Sequence, residues 1–240
     1  MKQVSILAMV GTAAAAATTT LPASAGVSSA ATAIPVSGSF DGGMTRYERD
    51  PDVCQGQSET GEEDAMFILE DGATLSNVII GASQAEGIHC RGTCTLENVW
   101  WAQVCEDAAT FLQESGTSYI NGGGAFTADD KILQFNGRGT IVVSDFYAED
   151  YGKLVRSCGN CDENGGPRNI EIADSIAVDG GVLCGINTNY GDTCKISNTC
   201  QNDAKYCDLY EGNDTGEEPT KTGSGPDGVY CTTENVSEDC

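Results

Sequence analysis

The chain has 240 residues and a formal charge of −24, with 36 acidic residues against 12 Lys and Arg. So acidic a surface repels nucleic acid and anionic membranes, so neither is expected as a partner, and a polyanionic substrate must be met by a local basic cluster or a bridging cation. The length suits one sizeable core, while 30 glycines argue against a helical protein.

Residues 1–25 read as a removable export signal. Lys2 is the positive start, Ile6 to Ala17 the apolar middle and Ala23-Ser24-Ala25 the small-residue cleavage site. The apolar run breaks at Thr18-Thr19-Thr20, before it is long enough to span a bilayer. Secretion accounts for the twelve cysteines, an even number that allows six disulfides whose pairing the sequence leaves open. Cys158-Gly159-Asn160-Cys161 is read as a structural bridge, because the single His89 and the lack of a second such pair leave no zinc site. Asn213-Asp214-Thr215 and Asn235-Val236-Ser237 are glycosylation acceptors.

Residues Ala33 to Glu63 are expected to cap the fold and form its first coil. From there a pattern ending in Asn or Asp recurs, at Asn77, Asn98, Asn121, Asp145, Asp174 and Asn198, with steps of 21, 23, 24, 29 and 24 residues. Short β-branched runs such as Val78-Ile79-Ile80, Ile141-Val142-Val143 and Ile170-Glu171-Ile172 accompany it. The 29-residue step holds Gly159 to Gly166, an inserted loop. Strands at this period predict an all-β chain, a single parallel β-helix or solenoid, over 26–200. Asn and Asp suit one repeating αL corner, where their amides can stack. Residues 201–240 lose the pattern, and 212–228 read as a loose loop. Cys200, Cys207, Cys231 and Cys240 are expected to tie this tail to the last coil.

In such a solenoid, residues one coil apart lie about 4.8 Å apart. Glu86 and Asp107 each follow a column Asn by nine residues, Lys131 follows Asn121 by ten and Lys153 follows Asp145 by eight. Within one residue these four share a ridge, with Glu106 and Asp130 beside it and Arg156 three residues beyond Lys153. Stacked carboxylates repel unless a cation lies between them, and oxygen ligands select Ca²⁺ over zinc. Acids beside bases suit β-elimination of a uronate chain: the cation and the bases offset the substrate carboxylate, and a base removes the C5 proton. Lys153 and Arg156 are expected to lower the pKa of Lys131 so that it serves as that base. His89 is read as structural, Met66 and Phe67 as core. Of Trp100 and Trp101, one is expected in the core and the other free to stack on sugar rings.

The run Ala65 to Gly81 resembles the small pectate lyases of polysaccharide lyase family 3. So do Ala85-Glu86-Gly87-Ile88-His89-Cys90, Asn98-Val99-Trp100-Trp101, Val104-Cys105-Glu106-Asp107-Ala108, Asp130 to Asn136, and Gly152 to Cys161. The resemblance, from about 33 to 200, implies a right-handed β-helix, Ca²⁺ dependence and cleavage of polygalacturonate. It implies Glu86, Glu106 and Asp107 as metal ligands and Lys131, Lys153 and Arg156 as the catalytic basic set, with Lys131 as base and Arg156 as alternative. The chain is expected to act as a monomer. Leu112 stands where relatives often carry Lys, and Gln103 lies in a run where relatives have acids. These departures keep a second reading in view, a catalytically decayed pectate-binding or elicitor protein.

Overall fold

The computed structural model describes residues 17–240, and the first sixteen residues of the expected export signal lie outside it. Nearly every strand pairs in parallel with one a coil away, so the chain winds as a β-helix with three faces. The first face stacks the start of Ser39–Arg49, whose end pairs on the second face with Gly26–Ala30, then Ala73–Ile80, Cys94–Trp101, Thr117–Phe135, Gly139–Ser144, Arg168–Ala173, Thr193–Ser197 and Cys231–Glu234. The second carries Tyr147–Ser157, Ile176–Val178 and Cys200–Gln201 over the middle of Thr117–Phe135. The third stacks Ile34–Val36, Phe67–Leu69, Ile88–Cys90, Ala109–Phe111 and the end of Thr117–Phe135, then Tyr147–Ser157, Val182–Asn187 and Cys207–Glu211.

Inward side chains fill the coil interior in vertical rows. Leu75, Leu96, Ile120, Val143, Ile172 and Ile196 are wholly buried on the first face, as are Phe67, Ile88, Ala109 and Leu133 on the third. Met66 and Phe67 are core, as expected. Trp101 belongs to this core, whereas Trp100 faces outward and is still only 1% exposed. It stacks on Phe126 at 6.3 Å, and its indole N–H donates to Asn98 Oδ1 at 2.8 Å. The alternation is as expected, but neither tryptophan is free for a sugar.

The corner between the first two faces is the polar column. Asn77, Asn98, Asp145, Asp174, Asn198 and Asn235 all hold φ between 49° and 54°. On the third of these coils the corner residue is Gly122 at φ 67°, one position past the expected Asn121, since Glu97 pairs with Asn121 and Val99 with Gly123. Glycine accepts αL as readily as asparagine, so an Asn-based column misses it by one. Gly123 admits no side chain, because a Cβ there would meet Val99 O at 2.0 Å. The amides stack as expected where both partners carry them: Asn98 Nδ2 donates to Asn77 Oδ1 at 2.8 Å and Asn235 Nδ2 to Asn198 Oδ1 at 3.2 Å. Asn98→Ala therefore forces alanine into αL and removes the hydrogen bonds to Asn77 and Trp100. It should cost about 2 kcal/mol, read as a lower urea midpoint with an unchanged slope.

All twelve cysteines pair. Cys158–Cys161 is a structural bridge as read from the sequence, and Cys200–Cys240 ties the chain end to the coil. The tail does more than the sequence pattern suggested. The Cys184–Cys194 and Cys207–Cys231 disulfides lie on successive coils, with Cys184 in strand register with Cys207 and Cys194 with Cys231, so the coils continue. Within the stretch read as a loop, Thr220–Gly225 runs antiparallel to Cys207–Glu211. No helix among the described residues is long and apolar enough to cross a membrane.

Candidate active site

Four side chains named from spacing fall on one vertical line at the entry to the third face. Ile88 pairs with Ala109 and Ala109 with Leu133, which places Glu86 over Asp107 over Lys131, and Lys131 pairs with Lys153. With Gly122 as the true corner, Lys131 follows it by nine residues, as Glu86 and Asp107 follow theirs. The one-residue slip to Lys153 is a bulge between Ala128 and Lys131, where three steps face two on the next coil.

The acidic end is buried. Glu86, Glu106, Asp107 and Lys131 are between 2 and 4% exposed, and oxygens of Glu86, Glu106 and Asp107 lie within 4.8 Å of one another. Lys131 Nζ donates to Glu106 Oε1 at 2.6 Å and to Asp130 Oδ2 at 3.3 Å, and lies 3.2 Å from Asp107 Oδ1. Lys153 Nζ donates to the other oxygen of Asp130 at 3.0 Å. Arg156 lies three residues on and donates to Asn160 Oδ1 at 2.9 Å, an acceptor presented by the Cys158–Cys161 loop. Lys131, Lys153 and Arg156 face one cavity of about 530 Å³, whose walls include Glu59, Gln134 and Tyr210.

The electrostatics correct one expectation. Burial alone would push the Lys131 amine down, but Asp107, Glu106 and Asp130 outweigh it and hold the amine well above its ordinary value. Its surroundings are set by three carboxylates within 3.3 Å, and not by Lys153 and Arg156. Asp107 moves up strongly, through burial and through repulsion from Glu106 and Glu86, with Lys131 opposing. Asp130 is also pushed up by burial, but Lys153 and Lys131 bring it below the usual carboxylate range.

A comparison with known proteins settles the family. The pectate lyase family model matches residues 18–217, most of the chain. The chain belongs to the pectate lyase family. It is 50% identical over 208 residues to probable pectate lyase E of Neosartorya fischeri, across 86% of this chain and 81% of the relative. It is 48% identical over 213 residues to pectate lyase E of Emericella nidulans, across 88% and 83%. Among solved structures, the lyase superposes on the catalytic domain of pectate lyase PelI from Erwinia chrysanthemi with TM-score 0.74 and 33% identity, covering 88% of this chain and 99% of that one. PelI in complex with tetragalacturonic acid gives TM-score 0.70 at 33% identity, over 85% and 68%.

Several residues of the lyase's site were not legible in its sequence. Thr60 donates to Glu86 Oε1 twice, from its backbone N–H at 3.1 Å and its hydroxyl at 2.7 Å. His89 Nε2 lies 3.3 Å from Glu86 Oε2 and so holds the other oxygen. Burial pushes the Glu86 carboxyl up, and these contacts more than offset it, leaving it below the usual range. Thr60 sits on an irregular loop that the Cys54–Cys105 disulfide and a Gln57 hydrogen bond to Cys105 O pin beside Glu106. Glu59, on the same loop, is pushed up by burial and by Glu106. Only the His89 contact is close in sequence: it lies three residues from Glu86, across the left-handed turn at Gly87. Leu112, where relatives often carry Lys, is 36% exposed.

Proposed function

We propose that this lyase cleaves α-1,4-polygalacturonate by β-elimination, with Ca²⁺ held by Glu86, Glu106 and Asp107. The observation that carries the reading is the single column in which buried carboxylates give way to lysines at the wall of one cavity. The donors fit the ion on three counts. They are all carboxylate oxygens, the set a hard divalent cation prefers. Glu106 Oε2 is buried with no hydrogen-bond partner among the described residues. Five carboxyl groups, counting Asp130 and Glu59, stand against three cations, an excess of acid that a divalent ion would offset.

When bound, the ion supplies positive charge that offsets the substrate carboxylate and makes its α-proton more acidic. Lys153, held at the cavity wall by Asp130, binds the same carboxylate. Lys131 Nζ takes the C5 proton. Two of the three carboxylates that keep it an ammonium, Glu106 and Asp107, are proposed ligands, so as they are engaged elsewhere it releases its own proton to solvent and becomes the free amine that accepts the substrate's. The electron pair left by that proton forms the C4–C5 double bond as the C4–O4 bond breaks, and the departing O4 takes that bond's electrons and a proton from solvent. Arg156, steered into the cavity by Asn160, stabilises the charge that develops on the carboxylate and is the alternative base.

The test is ultraviolet absorbance of the unsaturated product from polygalacturonate, with calcium and with chelator. Product that persists in chelator overturns the metal assignment. Binding of pectate with no product favours the decayed reading that Leu112 raised. We also place the lyase outside the cell, a reading supported by the expected export signal, the six disulfides and the sequons at Asn213 and Asn235, and propose that it acts there as a monomer.

Thr60→Val keeps the shape of the side chain and removes one of the hydrogen bonds that aim Glu86. The calcium concentration for half-maximal activity should rise about tenfold, as for other lost partners of metal ligands. An unshifted calcium titration would detach Thr60 from the site.

A further inference from the structure

A second cavity, of about 480 Å³, lies on the following coils of the same face, and its walls include Lys153, Lys205, Tyr206, Asp208, Tyr210 and Lys221. Lys153 and Tyr210 line both cavities, so the two share a wall and succeed one another along the solenoid axis. Register fixes the scale. The strand holding Lys153 pairs with Val182–Asn187, that strand with Cys207–Glu211, and that one with Thr220–Gly225, which carries Lys221. Three strand spacings, on the order of 14 Å, separate the strand of Lys153 from the strand of Lys221.

The charge distribution is uneven. Of twelve Lys and Arg in a chain of charge −24, five line these two cavities: Lys131, Lys153, Arg156, Lys205 and Lys221. Lys221 Nζ lies 2.7 Å from Asp208 Oδ1, and its side chain is 50% exposed. Asp208 is itself fixed by Ser224 Oγ at 3.0 Å and Tyr210 Oη at 3.4 Å. The ammonium is thus oriented at the groove with donors to spare. Lys205 Nζ donates to Gly180 O at 3.1 Å and Asp203 Oδ2 at 2.9 Å on the opposite side. Tyr206 and Tyr210 add apolar ring faces. The hairpin is held by the Cys207–Cys231 disulfide, and Lys221 lies past residue 217, where the family match ends.

We propose that the tail strand Thr220–Gly225 builds a remote subsite in which Lys221 and Lys205 bind the carboxylate of a uronate unit several sugars from the bond that is cut. The proposal rests on the pectate-cleaving reading above. Its consequence is a preference for long chains that the catalytic column alone would not give.

The test uses the full chain carrying Lys131→Ala, so that ligand survives, and calorimetric affinities for hexagalacturonate and trigalacturonate. The long ligand should bind more tightly, and adding Lys221→Ala should cut that length preference about fivefold, the scale of one half-exposed ion pair. Lys221→Arg should restore it, and added salt should erode it. A length preference unchanged by Lys221→Ala overturns the subsite, as does a protein that binds both oligomers alike. A separate turnover assay on the unmutated chain keeps the two readings apart. Lyase product with an unmoved length preference sinks the subsite alone. Length-dependent binding that needs Lys221, without product, sinks the cleavage reading and leaves the subsite standing.

Discussion

Lys131→Ala should lower turnover on polygalacturonate by about 10²–10⁴-fold, the usual worth of a positioned acid or base, while the β-helix stays folded. The lysine is buried, yet it lies outside the apolar core and meets the site's carboxylates rather than the inward rows. Its loss leaves Glu106 and Asp107 without their only close cation among the described residues, and that has a second readout. Without calcium the variant should melt below the unmutated protein, since unpaired buried carboxylates repel. With calcium the deficit should shrink, because the ion then faces no competing ammonium. A lysine that merely held the acids in place would be replaceable by calcium in turnover as well as in melting. Near-wild-type turnover in the variant would move the base to Arg156.

What could be read beforehand was whatever repeats. The fold followed from the corner period, and the column Glu86, Asp107, Lys131, Lys153 followed from the fold, because one coil of sequence is one strand spacing in space. The misses have different physical origins. Gly122 substitutes for Asn at the corner because both tolerate αL. Trp100 points outward as alternation requires, but Phe126 from the next coil covers it. The Lys131 amine was expected to be pushed down by its cationic neighbours, yet Asp107, Glu106 and Asp130 together outweigh burial and hold its proton. Thr60 and Glu59 belong to a loop without period, so nothing in their spacing points to Glu86, 26 residues away. The strand carrying Lys221 is antiparallel, and a search for parallel coils passes over it.

Asp107→Asn separates the metal role from a structural one by the sign of its effects. The substitution keeps the shape of the side chain and removes one of three crowded charges. Burial and its acidic neighbours already oppose ionisation of Asp107. The calcium-free variant should therefore be as stable as the unmutated protein or more so, since the repulsion with Glu86 and Glu106 is relieved. Calcium affinity should move the other way, because ligand charge sets the strength of such sites. The concentration for half-maximal activity should rise by about 100-fold. The stabilisation that calcium gives to melting should fall with it, since a ligand stabilises only in proportion to its occupancy. Melting curves across a calcium titration read both effects in one experiment. A variant that loses stability without calcium, yet keeps the full calcium shift, would make Asp107 a partner of Lys131 and not a ligand. The ion would then have to lie elsewhere on the column.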